Sequence, residues 1–131
     1  MVKSLSETRW SARNDAVRSL KLNYLMIIKI LETLHEDADQ SKDTQVEAKQ
    51  LASHLCKFES IFMCLFWADI LERVDKVNLI LQAEGLRLKA VVDSMKSLLE
   101  YFKSIRTNFD HYENKAFLVF SKLFDDAIYI F

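Results

Sequence analysis

The run Ile61-Phe62-Met63-Cys64-Leu65-Phe66-Trp67-Ala68 decides the fold of this chain, because it is apolar on nearly every side of a helix. A helix of that kind is typical of the centre of a hydrophobic core. The run is too short to span a bilayer, which needs about 20 apolar residues. We therefore predict a central helix over about residues 60–83, with Ser60 as its N-cap and Gly85 as the glycine that ends it.

Apolar residues at steps of three and four predict further helices on both sides of this central helix. The first is expected over about residues 12–35, with Ser11 as its N-cap, and the polar stretch 36–41 indicates a loop. A second helix follows and either bends or continues into the central helix, an alternative that the sequence leaves open. Two more helices are expected over about 88–105 and 110–124.

The composition favours the same fold class. The chain has 131 residues, no proline and one glycine, and a β-rich fold draws on both residue types for its turns. The length suits one domain better than two. We predict an all-α fold in which residues 1–131 form a single-domain bundle of about five helices.

Charge is unevenly placed along the chain. The net charge is −1, so the chain as a whole is not an electrostatic DNA binder. Residues 1–30 nevertheless carry six basic and two acidic side chains, a net charge of +4, and residues 31–47 are acidic. The basic end has two interpretations, a surface that faces phosphate or a solvated helix face.

No pattern in the sequence amounts to an active site or a metal site. Cys56 and Cys64 lie about 12 Å apart along a helix, which is too far for a disulfide. Reduced thiols indicate an intracellular protein. One glycine cannot build a Gly-rich phosphate loop or a nucleophile elbow, and no His and Cys residues have zinc-ligand spacing. We predict no enzyme activity, cofactor, metal, small-molecule substrate or membrane span.

Three carboxylates step along the central helix at three-residue intervals, namely those of Asp69, Glu72 and Asp75. Such spacing is typical of a solvated helix face. Lys76 follows Glu72 by four residues, so we expect these two side chains to form an exposed ion pair.

Trp10 lies ahead of the predicted first helix and has Arg9, Arg13 and Arg18 near it in sequence. An aromatic ring beside cations can stack on an unpaired base while the arginines hold phosphate. Alternatively, the indole folds back and staples the start of the helix. The residue pattern alone leaves both interpretations open.

The stretch Leu5-Ser6-Glu7-Thr8-Arg9-Trp10-Ser11-Ala12-Arg13 resembles the threonine-arginine-tryptophan motif of hAT-superfamily transposases. Among them it is most similar to domesticated relatives described as zinc finger MYM-type protein 1-like. Such transposases carry an all-α insertion within an RNase H-like catalytic domain, and the motif lies near the start of that insertion. The resemblance implies that Trp10 stacks where a flipped base leaves the DNA hairpin, with Arg9 as its cationic neighbour.

The resemblance also implies what this chain lacks, since the metal-binding carboxylates of the family lie on strands outside the insertion. We therefore expect a non-catalytic, nuclear fragment of a transposase-like protein that contacts hairpin or single-stranded DNA through Arg9, Trp10, Arg13 and Arg18. The alternative is a helical protein–protein interaction module or homo-oligomer with no nucleic-acid role. Nine phenylalanines and the apolar tail Ala127-Ile128-Tyr129-Ile130-Phe131 favour that alternative, because exposed aromatic surface marks interaction sites.

Overall fold

The computed structural model describes residues 5–128, with side chains for residues 9–125. The described residues form six α-helices and no strand, which confirms the all-α class and corrects the expected count of about five. Residues 129–131 of the predicted apolar tail lie outside the described residues. The helices are α1 (Leu5–Leu22), α2 (Tyr24–Glu36), α3 (Lys42–Leu55), α4 (Phe58–Leu81), α5 (Leu88–Ile105) and α6 (Phe109–Ile128).

The predicted first helix over residues 12–35 is in fact two helices. α1 begins at Leu5, so Ser11 lies inside it and is not its N-cap. The break falls at Asn23, whose backbone has φ −117° and ψ 20°. The side-chain amide of Asn23 donates a 3.0 Å hydrogen bond to the carbonyl of Ser19. Local bonds of this kind compete with helical geometry, and nothing else in the sequence marks the break.

The connections on either side of α3 answer what the sequence left open. The loop predicted over residues 36–41 is confirmed except for Glu36, which still belongs to α2. The hydroxyl of Ser41 caps α3 by accepting from the Thr44 amide at 3.2 Å. α3 and α4 are separate helices that meet at a bend of 74°. Lys57 stands at the N-cap position of α4, so Ser60 lies in the first turn and the predicted cap is wrong. No single described helix is long and apolar enough to cross a membrane, whereas α3 and α4 meet that criterion only as this bent pair.

Gly85 does not end the central helix, because α4 stops at Leu81 and Gln82 is its C-cap. Gly85 lies further along, in the loop that leads to α5, with φ +70°. That left-handed conformation favours glycine over residues with a side chain. No atom lies within 4 Å of the place that a Cβ would take, so the backbone angle alone requires glycine here.

α4 is the central helix of the described residues. α1, α5 and α6 pack against it, and α2 packs mainly against α3. The side chains of Ile61 and Ala116 are 1% and 0% exposed and stand at the middle of the core. Cys56 and Cys64 are free thiols, but they do not share a helix as expected, because Cys56 is the C-cap of α3 and Cys64 lies within α4. The buried core cluster consists of Tyr24, Ile28, Ile61, Cys64 and Ala116.

The run 61–68 is apolar nearly all round, but the burial expected from that pattern is incomplete on one side. Met63 and Trp67 remain exposed, although Ile61, Cys64 and Ala68 of the same run are buried. α1 lies along α4 beside these two side chains without covering them. This open side of α4 therefore presents an exposed apolar surface next to α1.

Candidate binding groove between helices α1 and α4

A groove of about 530 Å³ lies between α1 and α4. Both tryptophans of the chain line it, and the side chains of Trp10 and Trp67 are 38% and 44% exposed. Arg13 is the charged residue of the lining. The other lining residues are apolar or small, namely Ala16, Val17, Leu20, Ser60, Met63, Cys64 and Leu71.

Helical periodicity explains why these residues share one groove. On α1, Trp10 is followed by Arg13, Val17 and Leu20 at steps of three and four, which place side chains on one face. On α4, Met63, Trp67 and Leu71 recur every four residues and form the facing wall. The sequence of each helix therefore determines which side chains form its wall, and the groove lies between the two walls.

A set of polar contacts fixes how α1 lies on α4. Asp75 accepts hydrogen bonds from the Ser11 hydroxyl at 3.1 Å and from the Asn14 side-chain amide at 3.2 Å. The ammonium of Lys21 lies 3.5 Å from the carboxylate of Asp69. Because residues early in α1 meet residues late in α4, the two helices run antiparallel. Asn14 is buried, so its bond to Asp75 compensates for the loss of water around the amide.

These contacts correct the prediction that the three carboxylates of α4 form a solvated face. Asp69 and Asp75 are partly buried and bind side chains of neighbouring helices. The prediction is confirmed for Glu72, which is exposed and pairs with Lys76 at 3.1 Å. The spacing showed that the carboxylates share one side of α4, but it could not show which helices pack there.

The four residues proposed to contact DNA are only partly brought together. Trp10 lies inside α1 and not ahead of it, which also excludes a staple at a helix start near residue 12. The guanidinium of Arg13 lies 5.8 Å from the centre of the Trp10 ring, a cation–π contact. Arg9 is exposed one turn before Arg13. Arg18 is exposed half a turn from Arg9 around the helix, so it belongs to another side of α1.

A second polar cluster, which the sequence analysis missed, lies where α4 meets α5 and α6. The Tyr112 hydroxyl donates a 2.7 Å hydrogen bond to Asp69. The guanidinium of Arg73 donates to the Ser97 hydroxyl and lies 5.5 Å from the centre of the Tyr101 ring. Burial and the bond to Asp69 raise the pKa of Tyr112, so its phenol stays protonated and acts as a donor. These contacts hold three helices together.

The lining of the groove includes the thiol of Cys64. Burial raises the pKa of the Cys64 thiol, although Lys21 acts in the opposite direction, and a protonated thiol is a poor nucleophile. Among the residues that the structure describes, no three His, Cys, Asp or Glu side chains converge as metal ligands would. What the groove offers is an apolar surface with aromatic walls and one cation.

Comparison of the chain with models of protein families, with curated proteins and with solved structures gives no match.

Proposed function

We propose that this chain is a non-catalytic helical interaction module whose groove binds an apolar segment of a partner protein that carries a carboxylate. The observation that carries the proposal is the pair of exposed tryptophans on an apolar groove, Trp10 and Trp67. Aromatic residues dominate the energetics of protein interfaces because they bury a large area with few rotatable bonds. Arg13 lines the groove and meets the Trp10 ring, so it is placed to pair with the carboxylate.

We further infer that the six helices form one single-domain bundle around α4, because α1, α5 and α6 all pack on that helix. A single domain of this size unfolds in one cooperative transition. Urea unfolding followed by circular dichroism and by tryptophan emission should therefore give the same midpoint. Two separate midpoints would contradict a single domain.

DNA contact is the second candidate function, and the Arg13–Trp10 pair favours it. An exposed indole with a guanidinium at 5.8 Å could stack on an unpaired base and hold its phosphate. This candidate includes the proposal that the chain is a remnant of a hAT-like transposase and is located in the nucleus. We place this candidate second because single-stranded DNA is held by several cations along the strand, whereas one cation lines this groove and Arg18 lies on another side of α1.

The tryptophan emission of this protein tests the first candidate, since both indoles line the groove. A peptide that carries leucine and phenylalanine next to glutamate should shift the emission to the blue, because the rings leave water. Met63→Glu places a negative charge in the groove and should abolish the shift. Met26→Glu makes the same change at an exposed methionine of α2, outside the groove, and should leave the shift intact. No shift, or equal loss in both variants, would contradict the proposal.

The DNA candidate is tested with a DNA hairpin and a single-stranded oligonucleotide in the same assay. Stacking on Trp10 should quench its emission at low salt, and binding should weaken as salt rises. Trp10→Ala should then weaken DNA binding, with Trp67→Ala as the matched control on the opposite wall. DNA binding that is absent at low salt, or unchanged by Trp10→Ala, would exclude this candidate.

A further inference from the structure

α5 carries a row of apolar side chains that remain exposed in the described part of the chain. Leu88, Val92, Met95 and Leu99 are between 41% and 80% exposed. They follow one another at steps of four, three and four, which places them on one side of the helix over about 17 Å. We call these four residues the α5 row. It is separate from the groove, which α1 and α4 form.

The α5 row remains exposed because the apolar face of α5 is wider than the part of that face that packs against α4. Ile105 is buried, and Val91 and Leu98 are partly buried on the same side of α5 at steps of seven. From Ile105 to Val92 the apolar residues span about 140° of the helix circumference. A helix that packs on one neighbour needs an apolar stripe of about 100°. The remainder is suited to a second helical neighbour.

A row of lysines runs along the free edge of the α5 row. Lys89, Lys96 and Lys103 follow at steps of seven, and all three are exposed. None of them forms an ion pair within the described part of the chain. Asp93 and Glu100 lie beyond the lysines, further from the apolar residues. A helix that docks on the α5 row therefore meets the lysines first.

We propose that the α5 row binds a helix of a partner protein that has an apolar stripe edged with acidic side chains. In helix pairs, charged residues that flank the apolar seam at every seventh position determine which partner binds, through salt bridges between the helices. The complement of a row of lysines is a row of carboxylates on the partner helix. Pairing with a second copy of α5 offers no such complement. If two copies of α5 packed antiparallel, the lysines of one copy would face the lysines of the other. If they packed parallel, the lysines would face the apolar edge of the other copy at Val91 and Leu98.

The one-sided charge also separates this surface from a lipid-binding one. Helices that lie on anionic membranes carry cations around a broad polar face, with the apolar face free to enter the bilayer. The lysines of α5 follow one edge of the α5 row, and the residues along its other edge pack against α4. The geometry points to a narrow seam for one helix.

The test is a titration of the full chain with a labelled amphipathic peptide of four heptads, with leucine at the apolar positions and glutamate at the flanking ones. The peptide should bind, and the double variant Lys89→Glu, Lys96→Glu should weaken binding about tenfold, since two attractive pairs become repulsive. Lys49→Glu with Lys115→Glu makes the same change in net charge at exposed lysines of α3 and α6, and should leave the affinity within about twofold.

Three further measurements decide the outcome. A peptide with lysine in place of glutamate should prefer the charge-reversed variant. Leu99→Gln should lose binding, whereas Leu118→Gln, at an exposed leucine of α6, should keep it. The same titration in a Met63→Glu background, where the groove repels the acidic peptide, should still show binding that depends on Leu99, so failure at the groove and failure here are distinguishable. Self-association that Leu99→Gln abolishes, binding to phosphatidylserine vesicles without peptide binding, or equal affinity for both peptides would overturn the proposal.

Discussion

Two buried tyrosines should make the free energy of unfolding fall at alkaline pH. The Tyr24 hydroxyl donates a 2.7 Å hydrogen bond to the Leu55 carbonyl, and the Tyr112 hydroxyl donates one of 2.7 Å to Asp69. Burial raises the pKa of both phenols above the usual value, and for Tyr112 the hydrogen bond to the Asp69 carboxylate raises it further. Both groups therefore stay protonated in the folded chain well above pH 10.

The sign and size of the effect follow from proton linkage. Below pH 10 the phenols are protonated in the folded and the unfolded chain, so their contribution to stability is fully present. Above pH 10 the unfolded chain loses these protons and the folded chain keeps them, so the free energy of unfolding falls. At pH 11 the loss is about 1.4 kcal/mol for each tyrosine, or about 2.8 kcal/mol for both. That is a large share of the roughly 5–15 kcal/mol that stabilises a typical domain.

Urea unfolding at pH 8 and at pH 11, followed by circular dichroism, measures this loss. Tyr112→Phe lowers stability at both pH values because a hydrogen bond to a charged group is lost. The fall between pH 8 and pH 11, however, should be about 1.4 kcal/mol smaller in this variant than in the parent chain. Burial also raises the pKa of the Cys56 and Cys64 thiols, but both thiols are present in the parent chain and in Tyr112→Phe, so their contribution cancels in the comparison. An equal fall in parent, Tyr24→Phe and Tyr112→Phe would show that the phenols titrate normally, and the reasoning would be refuted.

Three further predictions concern stability, each measured by urea unfolding near pH 7. Ile61→Ala should lower the free energy of unfolding by about 2–5 kcal/mol because the side chain is fully buried. The control Ile30→Ala, at an exposed position, should lower it by under about 1 kcal/mol. Similar losses in the two variants would show that Ile61 is not at the centre of the core. Asp75→Ala should cost about 1–3 kcal/mol, since it leaves the buried amide of Asn14 without its partner, and a neutral result would contradict that contact. Gly85→Ala should cost about 1 kcal/mol through its φ of +70°. Gly85→Asn should cost less, because asparagine tolerates this conformation, and the reverse order would count against the left-handed angle.

The helices could be predicted where apolar periodicity is uninterrupted and the ends carry a polar signal. The expected helix over 88–105 coincides with α5, Leu88–Ile105, and the loop over 36–41 lies where its acidic residues indicate. The break at Asn23 could not be predicted, because an asparagine inside an apolar period is compatible with a continuous helix. The separation of α3 from α4 has no glycine or proline to mark it.

The residues that share one face of α1 or of α4 could be predicted from the sequence. The groove that the two faces form together could not. A step of three brings the side chains of Trp10 and Arg13 together on a helix, but the sequence predicts Trp10 ahead of the first helix, and the contact forms because α1 begins at Leu5. That Trp67 lies on the facing wall depends on how α1 packs on α4. The bonds that Asp75 accepts from Ser11 and Asn14 fix that packing, and they join residues more than 60 positions apart. No local pattern encodes such a pairing.

The groove and the α5 row, although they lie on different helices, share one chemical character. Each has an apolar centre and a cationic edge, Arg13 in one case and Lys89, Lys96 and Lys103 in the other. The acidic side chains of residues 31–47, in contrast, belong to α2, α3 and the loop between them. A chain with a net charge of −1 thus places basic side chains beside both of these apolar surfaces. Partners that are apolar and acidic satisfy both surfaces, whereas apolar and basic ones satisfy neither, so the two peptides of opposite charge should discriminate at both places.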